Sequence, residues 1–273
     1  MLGATGWMSL AGWGWLVGSV VGLANPAEHA RDLDLSDAVV VAAEQVPPSE
    51  ANAVKMLIEE VETRSRLRWG RSSQPPAAAP RRPLIVVTTE AGRPALTDEA
   101  PPTLAAPARP EGYRIAVTKS RSDRPIVWVL GEDSRGVLFG VGRLLRELRL
   151  QRDRVLLPAA FQIATAPRYA VRGHQLGYRP KTNSYDAWSA PMWEQYLRDL
   201  AVFGCNAIEL IPPRSDDDAD SRHFPRPPLA MMIEMARLAD AYGMDVWIWY
   251  PALDRDYSDP KTIAFAVEEW AAV

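Results

Sequence analysis

The sequence predicts an α/β protein in two parts: an amino-terminal α+β domain with sandwich-like layers, followed by a parallel sheet built from strand–helix units. Two observations carry this prediction. Before Pro167, two strands of alternating polarity, YRIAVTK and PIVWVLG, are joined by a charged turn and accompanied by amphipathic helices. After Pro167, each apolar strand is followed by an amphipathic helix, which is typical of a parallel sheet.

The first domain is expected to span residues 31–165, and its opening elements alternate between strand and helix. LDLSDAVVVAA predicts a strand over Leu33–Ala43, and Ser49 is a suitable N-cap for the helix that follows. LIVVTTE predicts another strand. Residues 91–110 are rich in proline and alanine, which predicts a mobile surface insertion.

The second helix of this domain follows the strand pair. GEDSRGVLFGVGRLLRELRL has a stripe of apolar residues at helical spacing, formed by Val137, Val141, Leu144 and Leu148. A short strand around Val155 closes the domain. The complete order, β-α-β-β-β-α-β, predicts a compact unit with helices on one face of a sheet.

The second part is expected to span residues 166–273 and to contain three strand–helix units. The strands are YAVRGHQL, NAIELI and DVWIWY, and Gly204 and Gly243 suit the C′ positions of the first two helices. This repetition fits either an open doubly wound sheet or a (β/α)8 barrel. A barrel takes roughly 250 residues, whereas 107 run from Pro167 to Val273, so the sequence is expected to be truncated.

Composition excludes several functions. The 273 residues are 47% hydrophobic and 24% charged, which is a soluble globular balance. The net charge of −3 gives no cationic field for nucleic acid, so no nucleic-acid partner is expected. Cys205 is the only cysteine, which rules out an intrachain disulfide and a cysteine zinc cluster. Three histidines also disfavour a histidine-rich metal site, and no metal or cofactor is expected.

The amino terminus predicts export. Residues 1–30 carry no charge before Glu28, and their apolar part, from about Trp7 to Ala24, suits the core of a signal peptide. An uncleaved membrane anchor fits the length nearly as well, and a misassigned start codon is a third possibility. A secreted or periplasmic protein is therefore expected, with a membrane contact only if the segment is an anchor.

The stretch RGHQLGYRPKTNSYDAW, Arg172–Trp188, is unusually rich in hydrogen-bonding and aromatic side chains for a loop. The loops after parallel strands form the ligand-binding face of such sheets. An arginine fork can bind neighbouring hydroxyls, and the rings of Tyr178, Tyr185 and Trp188 suit the C–H faces of a sugar. Ordinary packing aromatics and an Arg172–Asp186 pair are the alternative.

Glu209 and Arg214 follow in the second unit. Glu209 is the only charge in a strand expected to be buried on both faces, so it needs a partner, which Arg172 of the adjacent strand can supply. A structural ion pair and a ligand contact both remain open for it. Arg214 precedes an aspartate-rich stretch that resembles the start of a calcium loop, but counted from Asp216 the sixth and twelfth positions are Ser221 and Pro227.

The third strand brings tryptophans and a further pair of acids. One of Trp247 and Trp249 is expected to fill the barrel interior, so core packing is favoured for this strand. Asp254 and Asp256 lie two residues apart in a loop, and nothing apolar nearby would raise the pKa of either carboxyl. We do not assign them as a general acid and base.

The motifs EGYRIAVT and GEDSRGVLFGVGRLLREL resemble the α+β domain that precedes the barrel in β-N-acetylhexosaminidases and α-glucuronidases. APRYAVRGHQLGY is similar to the start of their catalytic barrel, and the resemblance covers roughly residues 33–273. It implies an incomplete (β/α)8 TIM barrel after the first domain. It also implies that Arg172, at the end of the first strand, holds sugar hydroxyls beside Gly173.

The resemblance implies an amino-terminal fragment of a glycoside hydrolase acting on O-glycosidic bonds of an oligo- or polysaccharide. The families place their catalytic carboxylates on the fourth strand or later, so the chain as given is expected to be inactive. NAIELIPP and WIWYPALD depart from the hexosaminidase pattern, and the sugar is left open. A non-catalytic carbohydrate-binding or accessory protein is the alternative, and a sugar isomerase is disfavoured.

We assign no catalytic residue. The residues expected to bind the carbohydrate are Arg172, Gly173, His174, Tyr178, Glu209 and Arg214.

Overall fold

A computed structural model describes residues 32–76, 81–176, 185–210, 225–249 and 254–271. The described residues from Asp32 onward belong to one compact unit. The elements of its first part are β1 (Asp32–Asp34), β2 (Val39–Val41), α1 (Pro48–Ser65), β3 (Gly70–Ser72), β4 (Leu84–Thr89), α2 (Arg93–Leu96), β5 (Tyr113–Lys119), β6 (Pro125–Gly131), α3 (Ser134–Glu147), β7 (Arg149–Gln151), β8 (Arg154–Pro158) and β9 (Gln162–Thr165). Those of its second part are β10 (Gly173–Gln175), α4 (Ala190–Val202), β11 (Ala207–Leu210), α5 (Pro228–Ala241), β12 (Asp245–Ile248) and α6 (Pro260–Ala271).

A six-stranded sheet with the order β3-β2-β4-β6-β5-β9 organises the first part. β2, β3, β4 and β6 pair in parallel, whereas β5 is antiparallel to both β6 and β9. Alternate residues of each strand point to opposite faces. Val40 and Ile85 belong to the core that also contains the apolar faces of α1 and α3, which matches the expected helical layer on one face.

The other face of this sheet is also covered. Val86 and Trp128 pack there with Leu96 of α2, and the Trp128 indole donates to Thr118 Oγ1 at 2.7 Å. The guanidinium of Arg114 donates to the carbonyl oxygen of Pro102 at 3.1 Å. Residues 91–110 are therefore held against the sheet by an apolar anchor and a hydrogen bond, although their composition predicts a mobile insertion.

The strand expected over Leu33–Ala43 is divided between two sheets. β1 pairs with β8 in a small antiparallel sheet, while β2 lies in the six-stranded sheet. A turn separates them, in which the Ser36 amide donates to Asp34 Oδ1 at 2.9 Å. This side-chain bond imitates a backbone turn, as aspartate often does, and it interrupts the apolar run.

The strands of the second part form a parallel sheet with the order β10-β11-β12. The expected parallel pairing is confirmed. Ile208 and Leu210 of β11 are buried in the core with helix residues such as Leu197 and Met235. The result is a mixed α/β protein with several sheets, and none of the helices in the described ranges is long and apolar enough to cross a membrane.

Candidate functional site

One face of the three-stranded sheet carries a row of functional side chains. Gln175, Glu209 and Trp247 are register partners on β10, β11 and β12. Register partners in a parallel sheet point to the same side and lie about 4.8 Å apart from strand to strand. Since Ile208 and Leu210 face the helices, the row lies on the opposite face. Gln175 Nε2 donates to Glu209 Oε1 at 3.2 Å.

A cavity of about 460 Å³ lies over this row. Gln175, Glu209, Trp247 and Trp249 line it, and Val171 adds an apolar edge. The sequence favoured core packing for the tryptophans of this strand, but Trp247 is 58% exposed and presents its indole to solvent. An apolar ring beside an amide and a carboxylate is an arrangement suited to a polyhydroxylated ring, which has apolar and hydrogen-bonding surfaces.

Gly173 and His174 of the expected site also border this cavity. A side chain added at Gly173 would meet only ordinary contacts, the nearest being Ala207 Cβ at 3.6 Å, so no close approach requires glycine there. His174 Nδ1 forms a hydrogen bond of 2.5 Å with the hydroxyl of Tyr196 on α4. Burial raises the pKa of Tyr196 to about 12, so this hydroxyl stays protonated at neutral pH.

Arg172 is placed differently from the sequence prediction. β10 begins at Gly173, so Arg172 lies at the amino-terminal edge of the sheet and not at the end of the first strand. The expected pair with Glu209 is not formed, because Arg172 Nη2 lies 2.6 Å from Glu111 Oε2. Its Nε donates to the Gly204 carbonyl at 2.7 Å, and Nη1 donates to the Tyr169 carbonyl at 2.8 Å. Through these contacts Arg172 links the start of β10 to Glu111 of the first part and to the Gly204 backbone after α4.

Glu111, for which the sequence predicted no role, contacts Arg172 and Asn206, which precede β10 and β11, and is connected to β12 through Arg135. Besides Arg172, it accepts hydrogen bonds from Asn206 Nδ2 at 3.0 Å and from Arg135 Nη1 at 3.2 Å. Arg135 in turn lies 2.5 Å from Asp245, the first residue of β12. Glu111 and Arg135 belong to the motifs EGYRI and DSRG. Their presence in these motifs is the sequence signal that could have identified them.

Burial raises the pKa of the Glu111 carboxyl, but the hydrogen bonds from Asn206, Arg172 and Arg135 outweigh it and hold that pKa below its ordinary value. The backbone of Glu111 has a φ of 59°, in the left-handed region that side chains rarely adopt. Its amide donates to Asp133 Oδ2 at 2.8 Å. The start of α3 therefore holds Glu111 in position.

Tyr178 and Arg214 of the expected site lie outside the described residues, as does the aspartate-rich loop. Tyr185 is only 4% exposed and packs against Trp188 and Trp193, with ring centroids 6.4 and 5.8 Å away. These rings support α4 and are not a surface for stacking of sugar on Tyr185. The described residues contain no group of three or more acidic, histidine or cysteine side chains arranged for a metal ion.

The acids near α6 have local partners. The Tyr257 hydroxyl donates to Asp254 Oδ2 at 3.1 Å, and the amide of Ser258 donates to Asp256 Oδ1 at 2.8 Å. The bonds from Ser258 hold the pKa of Asp256 below its ordinary value. A carboxyl of lowered pKa is a poor proton donor at neutral pH, so Asp256 is unsuited to act as a general acid.

The mixed α/β fold is similar to parts of several solved structures. Solved structures of CpGH84D and CpGH84B are similar to 88% of this chain, with TM-scores of 0.52 and 0.50 and identities of 14% and 15%. The 4-O-methyl-α-glucuronidase BtGH115A, specific for decorated arabinogalactans, is similar to 78% of it, with a TM-score of 0.51 and 13% identity.

This chain spans 39%, 38% and 29% of those three structures, respectively, so it corresponds to well under half of each. No protein-family model and no curated protein matches the sequence. At these identities the likeness establishes the glycosidase-like fold.

We expect Arg172→Lys to lower the free energy of unfolding by about 1–2 kcal/mol, because a lysine cannot replace the separate bonds to Gly204 and Tyr169. Urea denaturation followed by circular dichroism measures the change. Arg168→Lys is the control, since Arg168 stacks on the exposed ring of Tyr169. Unchanged stability together with weaker sugar binding would instead restore Arg172 as a ligand residue.

Proposed function

We propose that this chain is the amino-terminal portion of a glycoside hydrolase that acts on O-glycosidic bonds of an oligo- or polysaccharide. The cavity over Gln175, Glu209 and Trp247 is the observation that carries the proposal. The glycosidase-like fold supports it. In this proposal the three strand–helix units begin a (β/α)8 barrel, the preceding α+β domain ends near residue 165, and residues 1–30 direct export.

The chemistry of the row fits the binding of sugar. The exposed indole of Trp247 offers an apolar surface to ring C–H groups. Gln175 can donate and accept hydrogen bonds, and the carboxylate of Glu209 accepts them from hydroxyls. Because the two polar groups bond to each other, their side chains are already oriented before a ligand arrives. This reduces the entropy lost on binding.

Catalysis is assigned in this proposal to carboxyl groups outside the chain. Hydrolysis of a glycoside requires two carboxyl groups about 5–9.5 Å apart across the scissile bond. Among the described residues that line the cavity, Glu209 is the one carboxylate. It is therefore given a binding role, and the present chain supplies part of the sugar-binding surface.

We expect Trp247→Ala to weaken the binding of a neutral oligosaccharide at least about tenfold, because stacking contributes on the order of 1 kcal/mol beyond buried area. Isothermal titration against a panel of soluble oligosaccharides measures the affinity. Phe203→Ala is the matched control: Phe203 is 73% exposed and lies against Arg146, away from the row. Equal affinities for wild type and Trp247→Ala would contradict the proposed site.

A non-catalytic carbohydrate-binding protein is the second candidate, favoured by the single lining carboxylate among the described residues. Both candidates predict sugar binding at the row. They differ in the gene: a hydrolase requires an in-frame continuation that encodes about five further strand–helix units and a carboxylate pair. Sequencing of the complete gene and an assay of its product with aryl glycosides separate the two.

A further inference from the structure

The cavity combines a carboxylate with two indoles. Glu209 and Trp247 are register partners on neighbouring strands. Trp249, two residues further along the chain, lines the same cavity. A carboxylate attracts a cation directly, and the face of a tryptophan attracts one through its negative quadrupole. Two different groups in this cavity thus favour positive charge on the ligand.

The polar surroundings of Glu209 strengthen this preference. In the described part of the chain its side chain accepts one hydrogen bond, from the neutral amide of Gln175 to Oε1. Arg172 pairs with Glu111 at the other edge of the sheet, and Arg135 lies between Glu111 and Asp245. These two guanidinium groups are therefore engaged away from Glu209 and do not neutralise it.

From these contacts we infer that the cavity binds an amino sugar through its protonated amine, placed between the Glu209 carboxylate and the Trp247 indole. This inference rests on the proposed carbohydrate site and names its substrate class. Cavity size permits it, since about 460 Å³ accommodates a ligand of one to two sugar rings. The ring carbons of the sugar would lie on the indole, and the ammonium group would donate to Glu209.

The test compares three soluble tetrasaccharides on the full chain by titration calorimetry: glucosamine, N-acetylglucosamine and galacturonic acid oligomers. We expect the glucosamine oligomer to bind about tenfold or more tightly than the acetylated one, since acetylation removes the charge. The uronate oligomer should bind most weakly. The preference for the amine should shrink as salt rises, because screening weakens the attraction.

Glu209→Gln keeps the size and the bond partner of the side chain but removes its charge. We expect it to reduce the preference for the amine over the acetylated oligomer to about twofold or less, because a neutral amide does not attract the ammonium group as a carboxylate does. Asp240→Asn is the charge-matched control, because Asp240 is an exposed residue of α5 that does not line the cavity. Thermal unfolding of each variant confirms that it is folded.

The outcomes separate the inference from the function on which it rests. The acetylated or uronate oligomer could bind as tightly as the glucosamine oligomer or more tightly, with binding that Trp247→Ala weakens. That result would overturn the amine inference and leave the carbohydrate site intact. Absence of binding by all three, with the wild-type chain folded, would contradict both. A preference for the amine that survives Glu209→Gln would also overturn the inference.

Discussion

Glu111→Ala is expected to lower the free energy of unfolding by about 3 kcal/mol, toward the lower end of the cost of breaking a buried ion pair. The Glu111 side chain is only 12% exposed, and it contacts Arg172 and Arg135, whose side chains are 20% and 31% exposed. Removal of the carboxylate leaves both guanidinium groups with less compensation for their desolvation. The expected loss of stability is smaller than for a fully buried ion pair, because both arginine side chains are partly exposed to solvent.

We expect Glu111→Ala to lower the free energy of unfolding more than the loss of a single local contact would, because of where Glu111 lies. Arg172 precedes β10, Asn206 precedes β11, and Arg135 reaches the first residue of β12. The Glu111 carboxylate therefore contacts residues at the starts of β10 and β11 directly and is linked to the start of β12 through Arg135. We expect Glu111→Ala to loosen the parallel sheet before the six-stranded sheet unfolds.

Urea denaturation and hydrogen exchange together measure this. Exchange of the amides of β10, β11 and β12 should accelerate more than exchange in β4 and β6. Glu62→Ala is the control, because Glu62 pairs with Arg68 at the surface, where both side chains are at least 40% exposed. A loss below about 1 kcal/mol for Glu111→Ala, or uniform acceleration of exchange, would show that Glu111 does not fasten this sheet.

The same carboxyl gives a pH dependence of known sign. Its pKa is lowered in the folded protein, so its contribution to stability is present above the ordinary pKa of 4.5 and is lost as pH falls through the folded value. Glu111→Gln cannot titrate. The stability difference between wild type and Glu111→Gln should therefore narrow as pH is lowered below about 4.5, and a difference that is constant down to pH 3 would refute this assignment.

The second large effect is expected for Arg198→Ala, with a loss of about 3–4 kcal/mol. Arg198 is 8% exposed and lies between α1, α4 and α5. Its Nη2 is 2.7 Å from Glu59 and 2.9 Å from Glu194, and its Nε donates to the Tyr242 hydroxyl at 2.7 Å. Removal of the cation leaves neighbouring carboxylates that repel one another and removes the packing of the side-chain stem.

Arg237→Ala is the matched control, because Arg237 also pairs with a glutamate on a helix, yet its side chain is 60% exposed. We expect that variant to change the free energy of unfolding far less than Arg198→Ala does, because solvent screens an exposed ion pair. Equilibrium unfolding in urea at pH 7 compares the two. If Arg198→Ala and Arg237→Ala cost the same, the three-helix contact does not depend on the buried arginine.

Periodicity in the sequence located the longer helices and strands, but not the short elements β3, α2, β7 and β9. The apolar stripe of α3 and the alternation of β5 and β6 are local properties, and strand–helix repetition after Pro167 indicated the parallel pairing of β10, β11 and β12. The prediction of one strand over Leu33–Ala43 was wrong because the chain turns there, with hydrogen bonds from the Ser36 amide to Asp34 and from the Ala38 amide to the Leu35 carbonyl. Such a turn leaves the apolar pattern almost unchanged, so pattern reading misses it.

For the candidate site, the sequence singled out Glu209, Gly173 and His174, which line the cavity, and tertiary structure decided what surrounds them. A single charged residue in an apolar strand can be recognised from the sequence, which is why Glu209 was identified. Its row with Gln175 and Trp247 depends on strand register, and Arg172 pairs with Glu111, far away along the chain. Ion pairs and register contacts have no fixed sequence spacing, because they are set by how strands and helices pack. Only the folded chain could therefore show that Arg172 fastens the sheet at one edge while Glu209 faces the cavity.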